Sequence, residues 1–426
     1  MSARPTFSEA IAVWARIGLL SFGGPAGQIA LMHKEIVDDH KWLTEQQFLN
    51  ALNFCMLLPG PEAMQLATYS GWRLHGVKGG LAAGLLFVLP GAVVVLALSF
   101  IYAALGNVPA VEAVFLGVKA AVLVIVVEAL LRIAKRALKR RADWGIALAS
   151  FIAIFFFDAP FPLIILAAAL IGYTLGSNNA PSESAGDMPV PFTRTAATLA
   201  LWLGIWLVPL GAIALALGPD HVLAQTGLFF SKLAVVTFGG AYAVLAYMAQ
   251  QAVETYGWLS AGEMLDGLGL AETTPGPLIL VTEFVGTLAA YRSGDGPPWA
   301  MGLAGAGVTL WATFAPCFAW IFAGAPYVER IGSNARLSGA LAGVTAAVVG
   351  VILNLALWFA LHVLFARVTP VALGPLRLWT PDFATFDWQA GALSVLAALL
   401  LLWRHMGVIS VLAICAGLGL ALRMAF

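Results

Sequence analysis

Glycine and proline clusters interrupt four hydrophobic segments of this chain, where unbroken helices would otherwise be expected. Residues 21–25 (Ser-Phe-Gly-Gly-Pro) recur as 237–240 (Thr-Phe-Gly-Gly), and 58–61 (Leu-Pro-Gly-Pro) recur as 274–277 (Thr-Pro-Gly-Pro). Proline removes a backbone donor and clashes with the preceding turn. A helix that restarts after such a break directs unpaired N–H groups and the positive end of its dipole into the gap. The four breaks therefore predict an anion-binding site, with a simple packing kink as the alternative.

The residues expected to bind the anion are the glycines and prolines of the breaks, two cations and one amide. They are Gly23, Gly24, Pro59, Gly60, Pro61, Gly239, Gly240, Pro275, Gly276 and Pro277, together with Arg16, Lys232 and Gln65. Arg16 and Lys232 occupy equivalent places, each about two helical turns before a Gly-Gly pair. Such a pair of cations beside two helix N-termini suits a doubly charged anion. The alternative is that both side chains extend to the lipid headgroups.

Three carboxylates near the breaks are candidates for carrying a proton during transport. Glu62 directly follows Pro61, whereas Glu272 and Glu283 flank the second Pro-Gly-Pro. An ionisable residue inside a membrane span is a functional hypothesis by default, and a proton held there would couple transport to the proton gradient. The alternative for Glu62 is a carboxylate that only stabilises the start of a helix.

Lys119 also lies deep in a hydrophobic segment, but a structural role is favoured for it. Its equivalent in the second half is Thr345, and Glu112 and Glu128 on the same predicted helix are expected to neutralise it. No phosphate-binding loop, metal-ligand spacing or nucleophile-base pattern is present, so we expect no cofactor, no metal and no enzymatic activity.

The breaks belong to an internal repeat. The Phe-Gly-Gly, Trp-Leu (Trp42 and Trp258) and Pro-Gly-Pro motifs all recur at an offset of 216 residues, which an insertion near 292–299 lengthens to 226. We expect a first repeat over 1–178, a polar loop and linker helix over 179–221, and a second repeat over 222–426. With six spans in each half and one between them, the halves are inverted, as is characteristic of secondary transporters. A duplicated scaffold without transport is the alternative.

Composition requires a membrane to surround these elements. Of 426 residues, 61% are hydrophobic and 10% are charged, against about 25% charged in soluble domains. Equal numbers of basic and acidic residues exclude a nucleic-acid-binding domain, and the continuous apolar runs disfavour a β-barrel. An all-α polytopic protein with thirteen spans is predicted, at 8–32, 47–71, 80–105, 110–131, 143–158, 160–177, 195–218, 226–250, 263–291, 299–324, 337–365, 388–403 and 405–424.

The distribution of Lys and Arg among the loops predicts a cytoplasmic N-terminus and a periplasmic C-terminus. The largest basic cluster, over residues 132–141, lies between the fourth and fifth spans. The hydrophobic stretch near the N-terminus has no clear cleavage site, so the first span is expected to remain in the mature protein.

Several of these motifs together resemble the chromate ion transporter (CHR) family. They are Phe22-Gly-Gly-Pro25, Trp42-Leu43, 58–62 (Leu-Pro-Gly-Pro-Glu), 65–73, 89–91 (Leu-Pro-Gly), Phe238-Gly-Gly240, 274–277 and 324–330. The resemblance covers both halves and matches the long form with two fused domains of opposite topology.

The resemblance implies a protein of the bacterial inner membrane that exports chromate and confers chromate resistance, driven by the proton gradient or the membrane potential. Uptake or exchange of sulfate or another oxyanion is the alternative within transport, and a membrane-embedded enzyme or structural subunit is the alternative outside it. The expected partners are the oxyanion, protons and the lipid bilayer, with a homodimer left open. The second half departs from the first at Pro25, Glu62 and Gly91, so the two halves are not expected to contact the substrate equally.

Overall fold

A computed structural model describes residues 5–22, 24–106, 108–176, 192–238, 241–327 and 335–425. The first half contains α1 (Phe7–Leu20), α2 (Gly24–His33), α3 (Glu45–Leu57), α4 (Glu62–Leu105), α5 (Pro109–Ala137), α6 (Arg141–Phe157), α7 (Phe161–Leu175) and α8 (Phe192–Leu217). The second half contains α9 (Val222–Val236), α10 (Ala241–Gln250), α11 (Ala261–Thr273), α12 (Val281–Tyr291), α13 (Pro298–Gly324), α14 (Ala335–Leu364), α15 (Trp388–Ala398) and α16 (Val408–Ala425).

The prediction of a helical membrane protein is confirmed. Within the described ranges, five helical stretches are long and apolar enough to cross a bilayer: Glu62–Leu105, Pro109–Ala137, Thr193–Leu217, Pro298–Tyr327 and Ala335–Leu364. Shorter apolar helices occur at Phe161–Leu175, Val222–Val236, Leu278–Tyr291, Trp388–Trp403 and Val408–Met424. The count of thirteen spans and their inversion stay predictions.

Helix α4 folds back on itself at His75 and Gly76. The backbone there is not helical, with φ of −134° at His75 and 63° at Gly76. A Cβ atom added to Gly71 would clash with the carbonyl of Gly79, and one added to Gly79 would clash with the carbonyl of Gly71. Such contact requires the chain to reverse, because eight residues of continuous helix would separate the two glycines by about 12 Å. The turn falls between the spans predicted at 47–71 and 80–105.

The two halves share local backbone geometry as well as sequence. Helices α2 and α10 both end in a π-helical turn, and the tryptophan that follows closes it. The Trp42 amide donates to the Ile36 carbonyl at 2.8 Å, and the equivalent Trp258 amide donates to the Ala252 carbonyl at 2.8 Å. The residue before each tryptophan has a positive φ, 53° in the first half and 62° in the second. The repeated sequence motifs therefore adopt the same local backbone in both halves.

Packing groups the residues into two compact units, each of which draws on both repeats. Unit 1 comprises Met1–Phe100, Asn178–Ala241 and Thr274–Ser338, and unit 2 comprises Ile101–Ser177, Tyr242–Thr273 and Gly339–Phe426. In unit 1, α13 packs along α8, α9 and α12, while in unit 2, α5 packs along α11, α15 and α16. Glycines allow the closest approaches, as where Gly286 of α12 meets the Thr309 side chain of α13.

A β-hairpin departs from the all-helical expectation. Strands β1 (Val368–Leu373) and β2 (Leu376–Pro381) pair antiparallel in the loop predicted between the spans 337–365 and 388–403. Their Val, Thr, Leu and Trp residues favour extended backbone, and Gly374, with φ of 63°, supplies the positive φ that the turn requires. A strand pair this short has no helical period, so the sequence indicated only a loop.

One arginine of the hairpin attaches it to the rest of unit 2. The Arg377 guanidinium lies 3.1 Å from the Asp158 carboxylate, 2.7 Å from the Glu254 carboxylate and 4.8 Å from the centre of the Trp379 ring. Glu254 follows the span predicted at 226–250. Burial raises the pKa of Glu254, and the Arg377 guanidinium opposes that rise.

Removal of this guanidinium should destabilise unit 2. We expect Arg377→Met to cost about 2 kcal/mol, because it leaves the Glu254 carboxylate largely buried without its cation. The loss should be largest at neutral and alkaline pH and should shrink as acid protonates Glu254. Thermal unfolding of the purified protein measures it, with Arg367→Met as the matched control, since the Arg367–Asp382 pair on the same hairpin is exposed. Equal Tm values for the two variants would contradict the prediction.

Candidate functional site

The four breaks of unit 1 are hydrogen-bonded to one another in crossed pairs. The Gly60 amide donates to the Thr237 carbonyl at 2.8 Å, and the Gly276 amide donates to the Ser21 carbonyl at 2.9 Å. Thr237 and Gly276 stand 216 residues after Ser21 and Gly60, so the two bonds are equivalent under the repeat. Each Pro-Gly-Pro segment is thus tied to the Phe-Gly-Gly break of the other half.

Several helix N-termini begin within a few residues of these two bonds. Helix α2 starts at Gly24, α4 starts at Glu62, and a 3₁₀ turn starts at Leu278 and leads into α12. The first N–H groups of a helix have no partner within it, and the dipole places partial positive charge there. The breaks predicted at all four motifs are therefore present. Gly23, Gly239 and Gly240 lie outside the described residues.

The Pro-Gly-Pro geometry depends on glycine at its centre. Gly60 has φ of 118° and Gly276 has φ of 88°, a region that residues with a side chain rarely adopt. A Cβ atom at Gly60 would lie 2.8 Å from Gln65 Nε2 and 2.9 Å from Cys317 Sγ. Pro61 and Pro277 then direct the chain into the next helical turn, since proline is well suited to a helix start.

Two buried glutamines bind the carbonyls of the Pro-Gly-Pro segments. Gln65 Nε2 donates to the Pro59 carbonyl at 2.7 Å, and Gln28 Nε2 donates to the Gly276 carbonyl at 2.6 Å. Both side chains are buried. Gln65 was a predicted site residue, whereas Gln28 was not, because its equivalent in the second half is Val244. The signal for it was a lone amide in an apolar segment, four residues after Gly24.

The two predicted cations lie at the surface of unit 1. The Arg16 side chain is 63% exposed, and its Nε lies 3.4 Å from the Glu35 carboxylate. Lys232 is exposed as well. Among the described residues, no hydrogen bond or ion pair joins either side chain to the breaks. Their role in binding the anion stays a prediction.

The three predicted proton carriers have different surroundings. Glu62 is the first residue of α4 and is half-buried. Glu283 on α12 is 1% exposed, and neither of its carboxylate oxygens has a hydrogen-bond partner in the part of the chain that the structure describes. Glu272 belongs to unit 2, where the Tyr242 hydroxyl donates to its Oε1 at 2.7 Å. Glu283 is therefore the most isolated carboxylate of the three.

Unit 2 corrects the expectation for Lys119. Its Nζ lies 3.3 Å from Asp266 Oδ2 of α11, which also accepts a hydrogen bond from the Tyr102 hydroxyl at 2.7 Å. Glu128, which was expected to neutralise Lys119, instead binds Arg132 at 2.7 Å. A helical period indicates partners on one helix only, whereas α5 meets α11 through the fold. Lys119 and Asp266 line a polar cavity together with Glu112, Glu263 and Arg423.

Comparison with known proteins finds one matching family and several similar transport proteins. The family described as chromate transporter matches residues 8–173 and 224–420. A chromate transport protein of Pseudomonas aeruginosa is 34% identical, over 82% of this chain and 79% of its own length. A chromate transport protein of Cupriavidus metallidurans is 28% identical, over 82% and 81%.

An uncharacterized transporter of Methanocaldococcus jannaschii is 26% identical, over 82% of this chain and 83% of its own length. No solved structure matches this chain. The relatives are transport proteins rather than enzymes, and the apolar helices are those of a multi-pass membrane protein. The chain belongs to the chromate transporter family.

Proposed function

We propose that this protein is a secondary transporter that carries chromate out across the bacterial inner membrane and thereby gives chromate resistance. The observation that supports it best is the crossed pair of hydrogen bonds between the breaks, Gly60 to Thr237 and Gly276 to Ser21. It brings helix N-termini of both repeats to one place in unit 1, where backbone N–H groups and dipoles favour an oxyanion. The relatives named for chromate transport supply the identity of that oxyanion.

The duplication gives the proposal its transport mechanism. Two six-span repeats in opposite orientations, with a cytoplasmic N-terminus and a periplasmic C-terminus, would offer equivalent breaks to the two sides of the membrane in turn. Tags on the two termini test the orientation, because accessibility from opposite sides is expected. Accessibility of both tags from the same side would contradict thirteen spans.

The charged residues take roles that fit their exposure. Arg16 and Lys232, which are exposed and so accessible to the anion, hold its negative charge. Glu283, buried beside no cation among the described residues, accepts and releases the proton that couples transport to the gradient, with Glu62 and Glu272 as the other candidates. Neutral substitution of Arg16 is then expected to abolish chromate tolerance in cells while the protein stays in the membrane.

Flux of radiolabelled chromate into proteoliposomes, under imposed pH and voltage gradients, tests the function directly. We expect saturable flux that responds to at least one of the two gradients. Flux of labelled sulfate, measured in the same way, distinguishes a chromate transporter from a sulfate carrier, because a sulfate carrier would move sulfate faster than chromate. Absence of flux for every oxyanion, with the protein inserted and folded, would contradict transport.

A further inference from the structure

Each of the two buried glutamines leaves one hydrogen-bond acceptor without a donor at the breaks. A carbonyl oxygen accepts only, so Gln28 and Gln65 must each turn the amide nitrogen toward the Pro-Gly-Pro carbonyl that it binds. The other end of each amide, Oε1, is then fixed as an acceptor. Within the described residues neither Oε1 has a hydrogen-bond partner, although both are buried. A buried acceptor without a donor costs about as much as a lost hydrogen bond, so a ligand that brings a donor is favoured here.

The interior of unit 1 offers no matching cations. Every lysine and arginine of unit 1 that the structure describes is exposed. The buried charged groups there are carboxylates: Glu35, which is paired with Arg16, and Glu283, which has no partner among the described residues. A fully ionised, doubly charged oxyanion would meet helix dipoles there but no buried cation among the described residues.

We propose that the transported species is the singly protonated oxyanion, hydrogen chromate, rather than the chromate dianion. Its deprotonated oxygens accept from the helix N–H groups at the breaks, and its hydroxyl donates to a free amide oxygen of Gln65 or Gln28. The inference rests on the proposed function, since it names the charge state of the substrate of that same site.

Equilibrium exchange of labelled chromate in proteoliposomes, with the same pH on both sides, tests the charge state without a driving gradient. Above the pKa of hydrogen chromate, the half-saturating concentration of total chromate is expected to rise about tenfold per pH unit. Expressed as hydrogen chromate, it should stay constant. A half-saturating concentration of total chromate that does not change with pH overturns the inference and leaves chromate transport standing. Absence of exchange at every pH removes the proposed function itself.

Titration of protein groups could also change chromate exchange with pH, so it needs its own control. Titratable groups on the elements around the breaks include Glu62, Glu283 and the thiols of Cys55 and Cys317. Sulfate remains doubly charged across the same pH range, so its competition with chromate reports protein titration alone. We expect sulfate to compete weakly at every pH. Sulfate competition that strengthens in acid as steeply as chromate exchange does would assign the titration to the protein and overturn the inference.

Substitution of the amide separates ligand recognition from stability. Gln65→Met is expected to lower the preference for chromate over sulfate about tenfold, because the acceptor for the ligand hydroxyl is lost. Gln46→Met is the matched control, since Gln46 lies exposed on α3 and bonds to Asn50. A merely structural role for Gln65 would lower the exchange of both anions equally, and an unchanged preference in both Gln65→Met and Gln28→Met would overturn the assignment. Gln28→Met provides the second, independent variant.

Discussion

Alanine in place of Gly60 is expected to lower chromate flux by at least about tenfold. The backbone at φ of 118° is strained for alanine by about 1–3 kcal/mol. The added methyl group would also lie within 3 Å of Gln65 Nε2 and Cys317 Sγ. A backbone shift that relieves the strain and these contacts would move the Gly60 amide away from the Thr237 carbonyl and break the hydrogen bond between the two breaks.

Three further variants show whether the crossed hydrogen bonds between the breaks are responsible for the loss of flux. Gly276→Ala, at the equivalent position, should also lose flux, but less severely, because its nearest contact is the flexible end of Leu280 at 3.1 Å. Gly211→Ala on α8 has open space around it and should transport normally. Cys317→Ala combined with Gly60→Ala should restore part of the flux, because it removes one of the two clashes. Flux of Gly60→Ala at the level of Gly211→Ala would contradict the role given to the breaks.

The breaks were predictable because they depend on local rules. Proline removes a helical hydrogen bond and glycine permits positive φ, so the clusters of both residues at 21–25 and 58–61 favour helix ends in the sequence itself. The internal repeat strengthened the prediction, since the same interruption in both halves is hard to attribute to chance. The turn at His75 and Gly76 was located for a similar reason, because two apolar runs end on either side of it.

The partners of these elements were not predictable in the same way. Nothing in the spacing of Gly60 and Thr237, 177 residues apart, indicates that one donates to the other. Lys119 was assigned to acids on its own helix because a helix period shows only near neighbours, whereas its partner Asp266 lies on α11. Gln28 has no counterpart in the second half, where Val244 replaces it, so the repeat gave no signal for it. Contacts of this kind arise from packing, which one sequence does not display.

Substitution of Glu283 by glutamine should remove one proton from the transport cycle while leaving exchange intact. The amide keeps the size of the carboxyl group, so the packing of α12 against α13 is preserved. We expect equilibrium exchange of Glu283→Gln to stay close to that of the native protein. Glu45→Gln, at an exposed carboxylate on α3, is the control for a change of charge alone.

The accumulation ratio under a pH gradient measures the lost proton. With the membrane potential clamped at zero, each proton that moves with the anion is worth about 1.4 kcal/mol per pH unit, or about tenfold accumulation on the alkaline side. For export, Glu283 must carry its proton in the direction opposite to the anion, which is worth about tenfold accumulation on the acidic side. If hydrogen chromate is the substrate and brings one proton with it, the native protein should hold total chromate at about equal concentrations on the two sides, and Glu283→Gln should accumulate it about tenfold on the alkaline side. If the dianion is the substrate, the native protein should accumulate it about tenfold on the acidic side and Glu283→Gln should not accumulate it. In either case the substitution changes the ratio by one factor of ten, and an unchanged ratio would show that Glu283 carries no proton.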